Sequence, residues 1–122
     1  MNKPVRIPGP DHPIAIAPNE KRVTVTAAGR TIAETRAALT LREANYPPVQ
    51  YIPRADVDMM LLHRSSHKTY CPYKGEASYF DIPSLGDTGL NAVWSYEDPY
   101  DAVAAIKECL AFYPDRVEIE EV

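Results

Sequence analysis

Arg22-Val23-Thr24-Val25-Thr26-Ala27-Ala28-Gly29-Arg30-Thr31-Ile32-Ala33-Glu34-Thr35 is the stretch that sets the fold class. Polar and apolar side chains alternate from Arg22 to Thr26, the period of a strand with one buried face. Ala28-Gly29-Arg30 reads as a turn, and Thr31–Thr35 as the return strand of a hairpin.

The same grammar continues toward the C-terminus. Ala37–Arg42 places Leu39 and Leu41 at spacing two, as in a third strand, although Ala37 and Ala38 also tolerate a short helix. Tyr46-Pro47-Pro48 interrupts the pattern, and Val49–Ile52 is a short strand ended by Pro53. Ala55–Leu62 begins as a helical turn and then alternates, and Ser65-Ser66-His67 reads as a loop. Ala77–Ile82 and Asn91–Tyr96 are two further strands, joined by a turn or loop over Pro83–Gly89. One helix is predicted in the C-terminal region. Asp98 suits a cap, Pro99 the first helical position, and Val103, Ile106 and Leu110 share a face. Arg116–Val122 alternates again, with Val117 and Ile119 inward. The expected fold is mainly β (α+β), with one late helix.

Upstream of Lys21 the segment 1–20 carries five of the twelve prolines and reads as an extended arm lying on a single domain of residues 21–122. The 122 residues allow one core. With 17 acidic against 13 basic residues, the net charge of −4 argues against a nucleic-acid partner. No apolar run reaches the length of a membrane span, and the N-terminus lacks the apolar core of a secretory signal. Cys71 and Cys109 alone build neither a disulfide framework nor a zinc site, which fits a reduced, cytoplasmic protein. No cofactor and no metal ligands are expected, and the sequence carries no signal for oligomeric state.

Chemistry concentrates in Thr69–Ser78, where a thiol, an amine, two phenols and a carboxylate fall within one short segment. Cys71 with His67 is the minimum for a nucleophilic or redox thiol, and Lys74 favours the thiolate further. The alternative is a buried, inert cysteine. Lys74-Gly75-Glu76 can present an amine where backbone approaches a ligand, with Glu76 to orient it or act as a base. It is not a phosphate-binding loop, because the glycine-rich lead is absent. Tyr51, Tyr73, Tyr79, Trp94 and Tyr96 lie in or beside strands, and Trp94 and Tyr96 share a sheet face. They either fill the core or line a cleft for a small, flat ligand. The excess of tyrosine over phenylalanine, eight to two, keeps a wet cleft in view. Asp56-Val57-Asp58 offers two carboxylates at spacing two, a weak signal for a divalent cation with no third carboxylate placed beside it.

With these residues in place, the chain resembles the family known as domain of unknown function 427. The resemblance rests on Tyr51-Ile52-Pro53-Arg54-Ala55-Asp56-Val57 and on His67–Tyr79, within which Thr69–Tyr79, TYCPYKGEASY, is the specific part. It extends through Ala92–Pro99, Ala104-Ala105-Ile106 and Phe112–Val117, so it covers most of the chain. It implies a β-tent fold, a leaning pair of antiparallel sheets with a cleft between them, as in methionine sulfoxide reductase B and the ligand-binding domain of cereblon. Many such relatives hold zinc through two Cys-x-x-Cys pairs, which this sequence lacks. The family is also labelled nucleotidyltransferase-like, but no Gly-Ser leads into an Asp-x-Asp pair here. Three functions follow as expectations. The first is a small-ligand-binding cleft lined by the aromatic set, with Lys74, Glu76 and His67 near its mouth. The second is an enzyme using Cys71 as nucleophile or redox centre. The third is metal-dependent nucleotide transfer through Asp56 and Asp58.

Overall fold

The structure is a computed structural model and describes residues 3–122. The hairpin of the opening stretch forms from β2 (Val23–Ala27) and β3 (Arg30–Thr35), paired antiparallel. Ala27 faces Arg30 across a two-residue turn in which Ala28 and Gly29 both take positive φ, 51° and 77°. That is the turn whose twist matches a hairpin. A register shift between Val25 and Thr26 bends the pair. β10 (Glu118–Glu121) adds to the other side of β2, giving sheet II in the order β10-β2-β3.

Sheet I has the order β1-β4-β5, from Ile14–Pro18, Leu39–Glu43 and Val49–Tyr51. The strand reading of Leu39–Arg42 is the one the structure adopts. The Pro-rich segment contributes β1, ahead of Lys21. Pro18 is tolerated because β1 is the outer strand of its sheet and Pro18 ends it. Met1 and Asn2 of the segment read as an arm lie outside the described residues.

Sheet III has the order β6-β7-β8-β9, from His63–Cys71, Gly75–Asp81, Val93–Ser95 and Ala111–Phe112. Ser65-Ser66-His67, read as a loop, is the irregular middle of β6, where the register to β7 shifts between Arg64 and Lys68. The Ser65 hydroxyl accepts from the His67 N–H at 3.0 Å and so serves backbone that the ladder leaves unpaired.

The fold is therefore mainly β, but with three antiparallel sheets rather than a pair. The single late helix also needs correction. Among the described residues no α-helix forms, and Asp101–Ile106 is a 3₁₀ segment broken at Val103 (φ −125°, ψ 27°). Val103 and Ile106 are both fully buried at a spacing of three, and the segment ends at Ile106, so the buried Cys109 and Leu110 lie beyond it. Three more 3₁₀ segments lie at Arg54–Asp56, Met59–Leu61 and Pro83–Gly89.

Sheet III is packed on both faces, and alternation divides its side chains. Phe80, Val93 and Phe112 face one core with Val23, Val25 and Ile32 of sheet II. Ala77, Tyr79, Trp94 and Ala111 face a second cluster with Leu41 and Tyr51 of sheet I. An isolated bridge from Ile52 to Leu110 ties the end of sheet I to that of sheet III, and another from Ala33 to Val57 ties sheet II to the segment that follows β5.

Candidate functional site

The second cluster does not close completely. Between sheets I and III it leaves a cleft of about 370 Å³. Leu41, Val49 and Tyr51 form one wall, and Tyr79, Trp94 and Tyr96 the other, with Tyr46, Pro47 and Tyr113 at the rim. The register places these rings. Tyr79 pairs with Trp94 across β7 and β8, and Trp94 with Ala111 across β8 and β9, so the small Ala111 leaves room beside the indole. The Trp94 indole Nε1–H donates to the Tyr51 hydroxyl at 3.2 Å, and its ring meets Tyr51 edge-on. Tyr113 lies against Trp94 at 4.5 Å between ring centroids.

One end of the cleft is polar. The turn Pro72-Tyr73-Lys74 between β6 and β7 is closed by the Lys74 N–H bonding to the Cys71 carbonyl at 3.3 Å. Gly75 follows at φ +109°, a conformation that L side chains rarely adopt. Lys74 is thereby turned inward and buried, and its ammonium pairs with the buried Glu43 carboxylate. The second Glu43 oxygen bonds His12 Nε2 at 2.7 Å, and the His12 ring stacks on Tyr73 at 4.0 Å. Burial works to raise the Glu43 pKa, but hydrogen bonds from Lys74 and His12, reinforced by their charge, hold it below the ordinary carboxylate value. Lys74 Nζ also lies over the Tyr96 ring, 5.8 Å from its centroid.

Tyr51, Cys71, Lys74, Tyr79, Trp94 and Tyr96 all line the cleft. Tyr73 does not. It lies behind the polar end, against His12. Glu76 falls on the face of β7 opposite Ala77 and Tyr79 and is exposed, within 3.6 Å of Lys3 and of Lys68. His67 packs edge-on against Tyr79 at 4.7 Å, and among the described residues no hydrogen bond joins it to Cys71. The Tyr79 hydroxyl shares a hydrogen bond of 2.9 Å with Thr69. Cys71 is a half-buried free thiol, and Cys109 a buried one whose pKa burial raises. Asp56 accepts from Thr35 at 2.6 Å and Asp58 caps Met60 N–H at 3.2 Å, so each carboxylate has a separate local task. Among the described residues no three His, Cys, Asp or Glu side chains converge as a metal site. Among the described residues no helix is long and apolar enough to cross a membrane.

Sequence reading missed Glu43, His12 and Tyr113. Glu43 had a legible signal, since it continues the inward series Leu39, Leu41 by two. His12 had none, because it reaches Glu43 only through β1 lying beside β4, with Ile14 opposite Glu43.

Fold and site together define a mainly β chain with an aromatic cleft closed at one end by a buried Lys–Glu pair. Residues 15–122 match the model of the family described as domain of unknown function (DUF427), and the chain belongs to that family. The label of that family model names a nucleotide transferase. A search of curated proteins finds no match.

Proposed function

We propose that the cleft between sheets I and III binds a small, flat ligand, and that the two sheets are the leaning pair of a β-tent. The observation that carries this reading is the composition of the cleft. Its walls are aromatic rings, and the few polar groups gather at one end, the usual make-up of a small-molecule site. A volume of about 370 Å³ suits a ligand of one or two rings. Trp94, the chain's only tryptophan, stands in the wall, so its emission reports occupancy directly. Titration with a panel of metabolite classes, read by Trp94 emission and thermal shift together, should give a saturable response to one class. The reading falls if no class does so while acrylamide quenches Trp94 freely, because an open cleft would then be binding nothing.

A second reading is favoured by one observation: Cys71 lines the same cleft as Lys74. In this reading Cys71 is a nucleophile or redox centre acting on the bound ligand. Alkylation of Cys71 followed against pH tests it. A midpoint well below about 8.5 supports an activated thiolate, and an ordinary midpoint argues for a bystander.

A further inference from the structure

The polar groups of the cleft are unequally satisfied, and the imbalance has one direction. Each Glu43 oxygen already makes one hydrogen bond, one with Lys74 and one with His12. The Tyr51 oxygen accepts from Trp94 Nε1, so the Tyr51 proton must be given elsewhere. Tyr96 is only 7% exposed, lines the cleft, and its hydroxyl has no hydrogen-bond partner among the described residues. Lys74 gives one N–H to Glu43 and keeps two more. What remains at this end is therefore mainly donors, two phenol O–H groups and an ammonium, with the Cys71 thiol as a weak fourth. Tyr79 adds little, since its hydroxyl is shared with Thr69. Among the described residues the only fully buried side-chain polar atom without a partner is Arg22 Nε, so the Tyr96 hydroxyl reaches the solvent of the cleft, and a ligand that displaces water there keeps these donors paired by presenting an acceptor.

Charge narrows the class. A cage of aromatic rings by itself suits a cation. Here the cation is built in, because Lys74 lies over Tyr96, and the Glu43 carboxylate that lines this end already has its charge balanced by Lys74. An anion meets the opposite objection. Lys74 is already neutralised by Glu43, and a ligand carboxylate on Lys74 would approach the like-charged Glu43 carboxylate. A neutral acceptor on a flat ring satisfies the donors and adds no charge.

We propose that the cleft selects a neutral planar ring bearing a carbonyl oxygen, with Tyr51, Tyr96 and Lys74 as the residues that determine this specificity. The proposal rests on the ligand-binding reading above and names its ligand class. The carbonyl oxygen, with two lone pairs, takes the Tyr96 proton and one further donor, the Tyr51 O–H or a Lys74 N–H, and the ring lies among Tyr79, Trp94 and Tyr113.

Three probes share one pyridine ring and differ in its substituent: nicotinamide carries a neutral carbonyl, nicotinate a carboxylate, and 3-(aminomethyl)pyridine an ammonium with no carbonyl. Each is titrated into the intact chain and followed by Trp94 emission and by calorimetry. Nicotinamide should bind best, and Tyr96→Phe should weaken it roughly 3- to 10-fold, the effect of one lost buried hydrogen bond. Tyr96→Phe should leave the thermal midpoint unchanged or slightly raised, since the lost hydroxyl has no partner within the protein. Preference for nicotinate or for the amine overturns the proposed class while leaving a binding cleft. So does nicotinamide binding that Tyr96→Phe does not alter. Failure of all three probes to bind overturns the class as well. The ligand-binding reading itself then stands or falls on the wider metabolite panel.

Discussion

Breaking the Lys74–Glu43 pair is the most direct test of how the cleft is built. Both side chains are 11% exposed, so removing one partner strands the other in a poorly hydrated site. Fully buried pairs lose about 3–5 kcal/mol when one member is removed. The open cleft admits some water, which lowers the expectation for Glu43→Gln to about 2–4 kcal/mol. For a chain of this length that corresponds to a midpoint lowered by roughly 8–16 °C. Lys74→Met should cost less, because Glu43 keeps its bond to His12. The double change Glu43→Leu with Lys74→Met replaces the pair by apolar groups and should recover most of the loss. Urea unfolding of the wild type, Glu43→Leu, Lys74→Met and the double carrying both gives the coupling energy directly.

Acidity adds a second signature of the same pair. The Glu43 pKa is lowered in the folded state, so near the ordinary carboxylate pKa the unfolded chain binds more protons than the folded one. The stability Glu43 contributes is therefore present above its unfolded pKa and lost as pH falls through its folded one. Lys74→Met should shift this loss to higher pH. Single changes that each cost under about 1 kcal/mol and add without coupling would refute the reasoning, since they would mean that the pair is solvated.

Three other perturbations test the frame around the site. Ala28 sits at φ 51° in the β2–β3 turn, so Ala28→Gly should raise stability by about 0.5–1 kcal/mol in urea unfolding; a loss would show that the turn is not of this type. Glu97 takes two hydrogen bonds from Arg64, at 2.9 and 2.8 Å, and a contact from Arg54 at 3.1 Å, which overcome its burial and hold its pKa at about 2. Glu97→Gln should lower stability at neutral pH by about 1–2 kcal/mol, and the difference from wild type should vanish as pH falls from about 4.5 toward 2; an equal difference at every pH would count against the carboxylate. A Cβ on Gly89 would stand 2.1 Å from the Ile82 carbonyl oxygen, so Gly89→Ala should cost about 3 kcal/mol or more, and a wild-type midpoint would mean that this loop yields easily.

Sheets were legible where one face is dry and the other wet. Val23–Ala27 alternates cleanly because sheet II turns only one face to a core, and its strand and turn can be read residue by residue. β1 was hidden by its flanking prolines, although Ile14 and Ile16 alternate with alanines and pack on the second cluster. β6 was hidden for a different reason. It is an outer strand with mostly exposed side chains, so burial leaves little pattern in its sequence. The late helix failed because Val103, Ile106 and Leu110 were read as one α face, whereas the 3₁₀ segment breaks at Val103 and ends at Ile106, and Leu110 is buried in an extended bridge to Ile52. At the site, the aromatic wall could be read from strand parity. The polar end could not, because its three members, His12, Glu43 and Lys74, come from separate parts of the chain and meet only through the pairing of β1 with β4 and the packing of sheets.

Sheet III supplies an internal control on what the cleft is for. Adjacent residues on its strands look to opposite sides under the same local backbone. On the side of sheet II the rings are Phe80 and Phe112, in a core with no hydroxyl to satisfy. On the side of sheet I they are Tyr79, Trp94 and Tyr96, facing Tyr51. Burial pushes the Tyr51 and Tyr96 phenols well above the ordinary tyrosine pKa, so both stay protonated and remain donors throughout the neutral range. Phenylalanine at these positions would fill nearly the same volume without a hydroxyl to desolvate. Tyr96→Phe therefore separates packing from polarity at this wall: it keeps the ring and removes only a hydroxyl that faces the cleft, so an unchanged midpoint in urea unfolding is expected, and a loss above about 1 kcal/mol would show that the hydroxyl is held within the protein.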